Sequence, residues 1–561
     1  MPAPGWDDRS GRGKARFRFI WGIGEVFLRH RQLKVLAPNA AAAPGGFLPS
    51  SRECTVRGAS DNLNLDCDDP EFESPNNEPH IIVDPVDSEH MIASSNDYES
   101  CCDEFYTTFD GGRTWKTGDM SAESPSSIGS DPVTAIDPVS GNAIHSSLNF
   151  EFTEEGLATN GDVVVSLSKD GGLTWDEPIV VQDGIGDDDD PVQLFNDKQW
   201  VVTDTNRDSP FYGRTYLTWS RFRFESGAYI ESPIWESHSD DGGETWSDPQ
   251  EISGSSPACT YQEQGGGHDC DEDQGSVPAV APDGTVYVSF QNAQHEAAWE
   301  SGEQFEDQYM VARSEDGGAT WGNPVHVADL EDGTRDFPLN VDESQTLTGY
   351  QIRVPTFGHL AVDPSNGRLY LVFMDNRAGR HDVARPVTDT TVYITSSANG
   401  TKWTRPTAVT NRATDQWFPS VDVNPVTGEV GVLYHDRIED GLRDRLYGTT
   451  LAEGRPGMEI HGGCQRRLAP PQLAVLPCRG GGLLEVRLFP WGLHQPGLRQ
   501  RRQRERSVDG HASLRGPARA WRNRLHGEHL LLAPLGEGNE PGSAVEASAE
   551  GGAPVIGAPP R

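Results

Sequence analysis

The stretch SLSKDGGLTW, from Ser166 to Trp175, decides the fold because close copies of it recur along the chain. The copies are TTFDGGRTW at Thr107–Trp115, SHSDDGGETW at Ser237–Trp246, ARSEDGGATW at Ala312–Trp321 and the degenerate TSSANGTKW at Thr395–Trp403. Consecutive copies place their tryptophans 60, 71, 75 and 82 residues apart. A motif that recurs at such spacings indicates a repeat architecture, in which each repeat is one supersecondary unit.

A second pattern precedes each copy and indicates what one repeat contains. An apolar run leads through an Asp-Pro or Asp-Gly turn into another apolar run, as in LAVDPSNGRLYLVFMDNR from Leu360. Short β-rich runs separated by Gly, Pro, Asn and Asp are typical of strands and hairpins. In-frame copies begin at Ile81, Thr134, Trp200, Ala279, Leu360 and Val421. About four antiparallel strands in each of six in-frame units predict an all-β fold, a β-propeller.

The chemistry of the recurring motif favours a structural role. The two glycines permit the positive φ of a tight hairpin turn, and the aspartate carboxylate accepts N–H bonds inside that turn. The tryptophan packs a large apolar ring beneath the turn. Equivalent aspartates on four repeats cannot all face one substrate, so we expect them to be structural. The positions are Asp110, Trp115, Asp170, Trp175, Asp241, Trp246, Asp316, Trp321 and Trp403.

The motif resembles the Asp-box, also named the bacterial neuraminidase repeat, of the sialidase-like β-propeller superfamily. The resemblance extends over about residues 75–457. It implies boxes at the blade periphery, away from the active face. In sialidases of this superfamily, three arginines clamp the substrate carboxylate, a tyrosine assisted by a glutamate attacks the anomeric carbon, and an aspartate is the acid/base.

Candidate catalytic residues come from two sources. The string IRVP at Ile352–Pro355 resembles the Arg-Ile-Pro motif of the first sialidase arginine, although it follows the fourth box and not the first; the alternative is an arginine where a blade strand begins. The polar strand ends FMDNR and LYHDR would lie on one propeller face, where they either ring a mouth or form inter-blade salt bridges. The candidates are Arg353, Asp375, Arg377, Tyr434, Asp436 and Arg437.

Composition excludes several function classes. The 561 residues carry a formal net charge of −40, which disfavours nucleic acid as a partner. No apolar run of about 18 residues predicts a membrane span. The run Asp187, Asp188, Asp189 and Asp190 is a candidate calcium loop or a solvated acidic loop, and no cofactor is required. The acidity fits either export or adaptation to high salt.

Cysteine spacing and the N-terminus bear on localisation. Cys259 and Cys270 flank a Gly-rich acidic loop, where they either form a disulfide, which implies export, or remain free thiols. Residues 1–57 contain a basic segment followed by an apolar one and are interpreted as a leader or a disordered arm. We therefore expect a secreted or cell-surface protein whose propeller spans 58–457.

The last part of the chain, 458–561, has a different composition. It contains 14 arginines, no lysine and 9 acidic residues, and it lacks threonine and tyrosine. A +1 shift lets Val508–Ala512 encode W-T-D-M-R, like FMDNR, and lets Leu525–Leu532 encode a strand-like Y-T-E-N-I-F-F. We predict a frameshift between about Tyr447 and Met458, so that 458–561 is a non-native tail and a seventh blade has been lost. The nucleotide sequence tests this directly.

Two function classes follow from the sequence. The first is an exported, sialidase-like propeller that binds a glycan or a protein on one face without catalysis. The alternative is an exo-sialidase-type glycoside hydrolase. A cluster of three arginines near a Tyr–Glu pair in the central mouth would favour the enzyme. Its absence, or a seventh blade, would favour binding.

Overall fold

A computed structural model gives the architecture of the chain. It describes residues 52–54, 65, 76–97, 102–124, 126–152, 158–186, 192–259, 269–293, 307–332, 336–339, 344–350, 353–382, 385–409, 414–437, 448–454 and 461–464. Every regular element in these residues is a β-strand. The predicted all-β class is therefore confirmed for the described part of the chain, which also contains no helix able to span a membrane.

The first two sheets contain fourteen strands. The first sheet has the order β1-β5-β4-β3-β2, and the second runs β14-β13-β11-β10-β8-β7-β6 with β9 and β12 at its side. One parallel residue pair, Phe195 with Gly161, joins the two halves of the second sheet. The strands are β1 (Arg52–Cys54), β2 (Asn76–Val83), β3 (Met91–Asp97), β4 (Asp103–Thr108), β5 (Trp115–Asp119), β6 (Ile128–Ile136), β7 (Ala143–Phe152), β8 (Ala158–Ser168), β9 (Ile179–Gln182), β10 (Val192–Thr203), β11 (Thr215–Glu225), β12 (Ala228–Glu231), β13 (Ile234–Ser239) and β14 (Gln250–Glu251).

Three further sheets have four strands each, in sequence order. Their strands are β15 (Asp273–Val280), β16 (Val286–Asn292), β17 (Asp307–Ser314), β18 (Gly322–Leu330), β19 (His359–Val362), β20 (Leu369–Asp375), β21 (Thr391–Ser397), β22 (Thr407–Ala408), β23 (Gln416–Val423), β24 (Val430–Asp436), β25 (Gly448–Gly454) and β26 (His461–Cys464). Consecutive strands in these sheets pair antiparallel, as short connections between neighbouring strands require.

The first strands of successive units surround a common centre. β2 packs on β6, β6 on β10, β10 on β15, β15 on β19 and β19 on β23. Three aromatic rings from alternate units also meet: the Trp200 ring lies 5.8 Å from His80 and 5.5 Å from His359, centroid to centroid. One buried apolar cluster joins Ile81 of the first sheet to Tyr434 of the last. This is the radial arrangement of a β-propeller.

A bulge recurs near the start of the first strand in five units. The pairing register shifts there, and one residue takes a left-handed backbone conformation. These residues are Glu78 (φ 52°), Asp131 (φ 60°), Lys198 (φ 55°), Gly275 (φ 65°) and Phe418 (φ 50°). Such a conformation is uncommon for residues other than glycine and concentrates at functional sites. Each bulge lies at the end of its strand away from the Asp turn.

Two short strands lie outside the boundaries predicted for the propeller. β1 falls within the predicted leader and pairs with β5, and β26 falls within the predicted tail and pairs with β25. The rest of both segments lies outside the described residues. The frameshift and the seventh blade stay predictions.

Candidate functional site

The recurring turns hold their aspartates internally. In the turn at Asp170, Oδ1 accepts hydrogen bonds from Thr174 N at 2.9 Å and Ser168 Oγ at 2.8 Å, and Oδ2 accepts one from Thr174 Oγ1 at 2.7 Å. The turns at Asp110, Asp241 and Asp316 repeat these contacts. The indole N–H donates to the carbonyl of the last glycine of the turn for Trp115, Trp246, Trp321 and Trp403.

The same turns also join neighbouring sheets. His90 Nε2 lies 2.9 Å from Gly171 O, and Thr107 Oγ1 donates to Gly172 O at 2.8 Å. Asn142 Nδ2 likewise donates to Gly242 O at 3.0 Å. In each case the side chain belongs to the preceding unit. The turn carboxylates are thus occupied within turns that link one unit to the next.

A mouth opens where the bulged strands β10 and β15 of two neighbouring units meet the connection that leads into β19 of the next unit. Its walls come from β10, β11, β15 and the connection between β18 and β19. It is lined by Asp197, Lys198, Ser220, Phe222, Gln274, Gly275, Arg353 and Phe357. Cationic, carboxylate and amide side chains therefore converge with two phenylalanine rings around a small hollow.

The bulges bring three charged side chains of different units together beside this mouth. Lys198 Nζ lies 3.0 Å from Glu78 Oε2 and 3.7 Å from Asp131 Oδ1. All three residues have the left-handed conformation described above. The Glu78 and Asp131 side chains are buried, whereas that of Lys198 is 21% exposed. A buried carboxylate is stable only when paired, so the ammonium group of Lys198 stabilises both side chains.

Asp197 is the titratable group with the clearest perturbation in the mouth. Burial, together with the neighbouring Asp131 charge, raises the pKa of Asp197 to about 7, against the opposing positive charges of Lys198 and Arg353. Its carboxyl group lies close enough to that of Asp131 for the two to interact. A carboxyl group that exchanges a proton near neutrality is suited to general acid catalysis or to hydrogen bonding a sugar hydroxyl.

Of the six candidate catalytic residues predicted from sequence, the structure places Arg353 in the mouth. Its side chain is largely buried. Arg377 instead binds the neighbouring carboxylate of Asp375, with Nε 2.9 Å from Oδ1 and 2.8 Å from Oδ2, and its guanidinium lies 4.4 Å from the Tyr393 ring centroid. Both residues are thus engaged with each other and with the preceding unit, where Arg377 Nη2 donates to Asp329 O at 2.8 Å.

The candidate residues at the end of β24 also have partners or are buried in the structure. Arg437 Nη1 donates to Asp415 Oδ2 at 2.8 Å, and its guanidinium lies 4.3 Å from the Tyr350 ring centroid. Tyr434 is part of the apolar core, and Asp436 is buried where β24 pairs with β23. None of these three lines the mouth. The candidate calcium residues Asp187 to Asp190 lie outside the described residues.

Sequence reasoning missed four residues around the mouth: Glu78, Asp131, Asp197 and Lys198. No motif marks them, since they differ in type from unit to unit. Their spacing is nevertheless regular, because the bulge residue stands six positions before the turn residue in each of the five bulged units. The pairs are Glu78 and Asp84, Asp131 and Asp137, Lys198 and Asp204, Gly275 and Ala281, and Phe418 and Asn424. Alignment of the repeats on their turns would have found them.

Comparisons with known proteins give a likeness in fold. No family model matches the chain, and no curated protein does. Solved structures similar to it include a Hadza microbial sialidase (14% identity, 66% of each chain covered, TM-score 0.40). They also include the Ruminococcus gnavus intramolecular trans-sialidase (13%, 75% of this chain and 100% of that chain, 0.38) and the Trypanosoma rangeli sialidase (14%, 74% and 59%, 0.39). In its recurring Asp-box-like turns and its radially arranged antiparallel sheets, the chain resembles the sialidase-like β-propellers.

Proposed function

We propose that this chain is an exported propeller protein that binds a glycan in the mouth. The convergence of Lys198, Asp197 and Arg353 beside Phe357 carries the proposal. Carboxylates accept hydrogen bonds from sugar hydroxyls, and the two cations donate to hydroxyl and ring oxygens. The half-buried Phe357 offers an apolar face to the C–H side of a sugar ring.

Charge composition favours a neutral glycan over a sialoside. Recognition of a carboxylated sugar calls for several arginines in bidentate geometry, whereas Arg353 is the one arginine among the described residues that line the mouth. A Tyr–Glu pair does occur, with Tyr106 Oη donating to Glu104 Oε2 at 2.5 Å. That tyrosine is fully buried within the first sheet, so a substrate does not reach it. Binding is therefore preferred to sialidase chemistry.

A second candidate is hydrolysis of a glycosidic bond, with Asp197 as the general acid. The raised pKa of this carboxyl group, about 7, keeps half of the molecules protonated at neutral pH. This activity requires a second carboxylate at the anomeric carbon, and Asp131, which is buried against Lys198, does not supply it.

Disulfide bonding supports export. The structure pairs Cys259 with Cys270, Sγ–Sγ 2.02 Å, and Cys102 is also disulfide-bonded. Disulfides persist in secreted and cell-surface proteins and are rare in reducing compartments. We accordingly propose a secreted or cell-surface location. We also propose the frameshift predicted from sequence, which the nucleotide sequence tests. We likewise propose the candidate calcium loop, which a calcium titration tests.

The test is calorimetric titration of the full chain with a panel of neutral and sialylated oligosaccharides. We expect a neutral glycan to bind, and Phe357→Ala to weaken its binding at least tenfold. Phe109→Ala is the matched control, because this phenylalanine is half-exposed on the first Asp-box turn, far from the lining residues. Absence of binding, or equal losses in both variants, would refute the proposal. Turnover of a fluorogenic glycoside that Asp197→Asn abolishes would establish the hydrolase instead.

A further inference from the structure

Three side chains capable of ligating a metal meet beyond the mouth. Glu331 follows β18, Asp336 lies in the connection from β18 to β19, and His381 follows β20. Their ligand atoms all lie within 4.8 Å of one another. The Glu331 and Asp336 side chains are 1% and 2% exposed, while that of His381 is 24% exposed. The cluster is therefore buried, with one side open to solvent.

The orientation of His381 is that of a metal ligand. Its Nε2 lies 2.8 Å from the backbone oxygen of Asn376, which as an acceptor places the proton on that nitrogen. Nδ1 then faces Glu331 Oε1 at 2.8 Å and Asp336 Oδ1 at 3.4 Å. In metal sites, one ring nitrogen binds the ion while the other donates to a carbonyl or carboxylate, and this fixes the tautomer.

A single buried residue, Asn376, contacts the ring of His381 and the backbones of Glu331 and Asp336. Its carbonyl holds His381, its side-chain amide donates to Asp336 O, and its backbone N–H donates to Glu331 O at 3.3 Å. The ligands are thus positioned by contacts outside the cluster. Preorganisation of this kind lowers the ordering cost of binding an ion.

Charge and donor type select the ion. Two carboxylates and a neutral imidazole carry a charge of −2, which a divalent cation neutralises. An imidazole nitrogen suits zinc and other first-row transition metals, whereas calcium prefers an all-oxygen site. Tetrahedral ligands at about 2.0–2.1 Å from zinc lie about 3.3 Å apart. The distance from His381 Nδ1 to Asp336 Oδ1 already fits this value, and Glu331 Oε1 has to move away from Nδ1 by about 0.5 Å.

We propose that Glu331, Asp336 and His381 bind one divalent transition-metal ion, with zinc as the reference ion. Three protein ligands leave a coordination position that water fills from the exposed side. The ion links two segments: the connection from β18 to β19, which contains Arg353, and the loop that follows β20. Its role is to hold that connection in place.

The experiment is a zinc titration of the tag-free, chelator-stripped full chain, followed by calorimetry and by the thermal unfolding midpoint. We expect one zinc per chain, a midpoint that rises with zinc, and affinity at least tenfold lower in His381→Ala and in the nearly isosteric Asp336→Asn. His326→Ala is the matched control, because that exposed histidine faces one carboxylate, Asp329, at 2.8 Å. Its zinc affinity should equal that of the wild type.

Two results would overturn the assignment. The first is a wild-type chain that takes up no stoichiometric zinc and shows no rise in its unfolding midpoint, which would identify the cluster as an imidazolium–carboxylate ion pair. The second is an affinity that falls as far in His326→Ala as in His381→Ala. The wild-type midpoint needs no variant, and far-UV circular dichroism of Asp336→Asn confirms that loss of zinc is not loss of fold.

Discussion

Replacement of Asp170 by alanine is the sharpest test of the role given to the recurring turns. Its carboxylate accepts four hydrogen bonds, from Ser168 Oγ, Leu173 N, Thr174 N and Thr174 Oγ1, at 2.7–3.1 Å. The donors at Leu173 and Thr174 are exposed, so water replaces the carboxylate once it is removed. Each bond then contributes about 0.5 kcal/mol, the lower end of the usual range. The four together give a loss of about 2 kcal/mol.

Equilibrium denaturation followed by tryptophan fluorescence measures this loss. Asp170→Asn keeps one acceptor oxygen, so we expect it to lose about 1 kcal/mol of unfolding free energy. Asp208→Ala, at an exposed loop aspartate, should stay within about 0.5 kcal/mol of the wild type. An Asp170→Ala protein as stable as Asp208→Ala would refute the structural role of the turn carboxylates.

Three further predictions concern the same framework. Gly172→Ala should lower the unfolding free energy by about 2 kcal/mol or more, because φ is +84° and the new Cβ meets neighbouring atoms at 2.7 Å and 2.8 Å. Gly227→Ala is the control, because φ is similar at +77° but the new Cβ meets open space. In the same denaturation experiment it should lower the unfolding free energy by about 1 kcal/mol. Loss of the disulfide in the double variant Cys259→Ser/Cys270→Ser should lower the unfolding free energy by about 3 kcal/mol relative to the wild type, because the closed loop of 11 residues is opened. Burial raises the pKa of most turn aspartates, but their hydrogen bonds outweigh this effect and leave the pKa below the ordinary value of 3.8. The carboxylates therefore contribute their full stabilisation above that pH and lose it as the pH falls below it. The difference in unfolding free energy between wild type and Asp170→Ala should accordingly narrow in denaturation curves recorded at progressively lower pH.

The repeats made the strands predictable from sequence. Turn chemistry is local: an Asp-Gly-Gly tip such as Asp170–Gly172 requires one backbone conformation whatever surrounds it. The alternation of turns with apolar runs then fixes strands and sheets, since each run has to bury its side chains. The likeness in fold to sialidase-like propellers follows from these two signals.

The mouth was less predictable, because its geometry depends on contacts between units. Arg377 and Arg437 lie at strand ends, where the sequence predicts arginines arranged around the mouth. In the structure, each guanidinium instead binds a nearby carboxylate and packs on an aromatic ring. Lys198 and Glu78 are 120 residues apart in sequence, and they pair through bulges that no sequence motif predicts. Pairing partners at this distance follow from the assembled sheets and not from local sequence.

Hydrogen–deuterium exchange of the full chain, with and without a saturating concentration of the glycan found by titration, tests the central claim most directly. Binding in the mouth predicts slower exchange in peptides covering β10, the start of β15 and residues 353–358. The Asp-box turns should exchange at unchanged rates. Protection confined to those turns, or spread over an outer edge of the sheets with none at the mouth, would contradict the account.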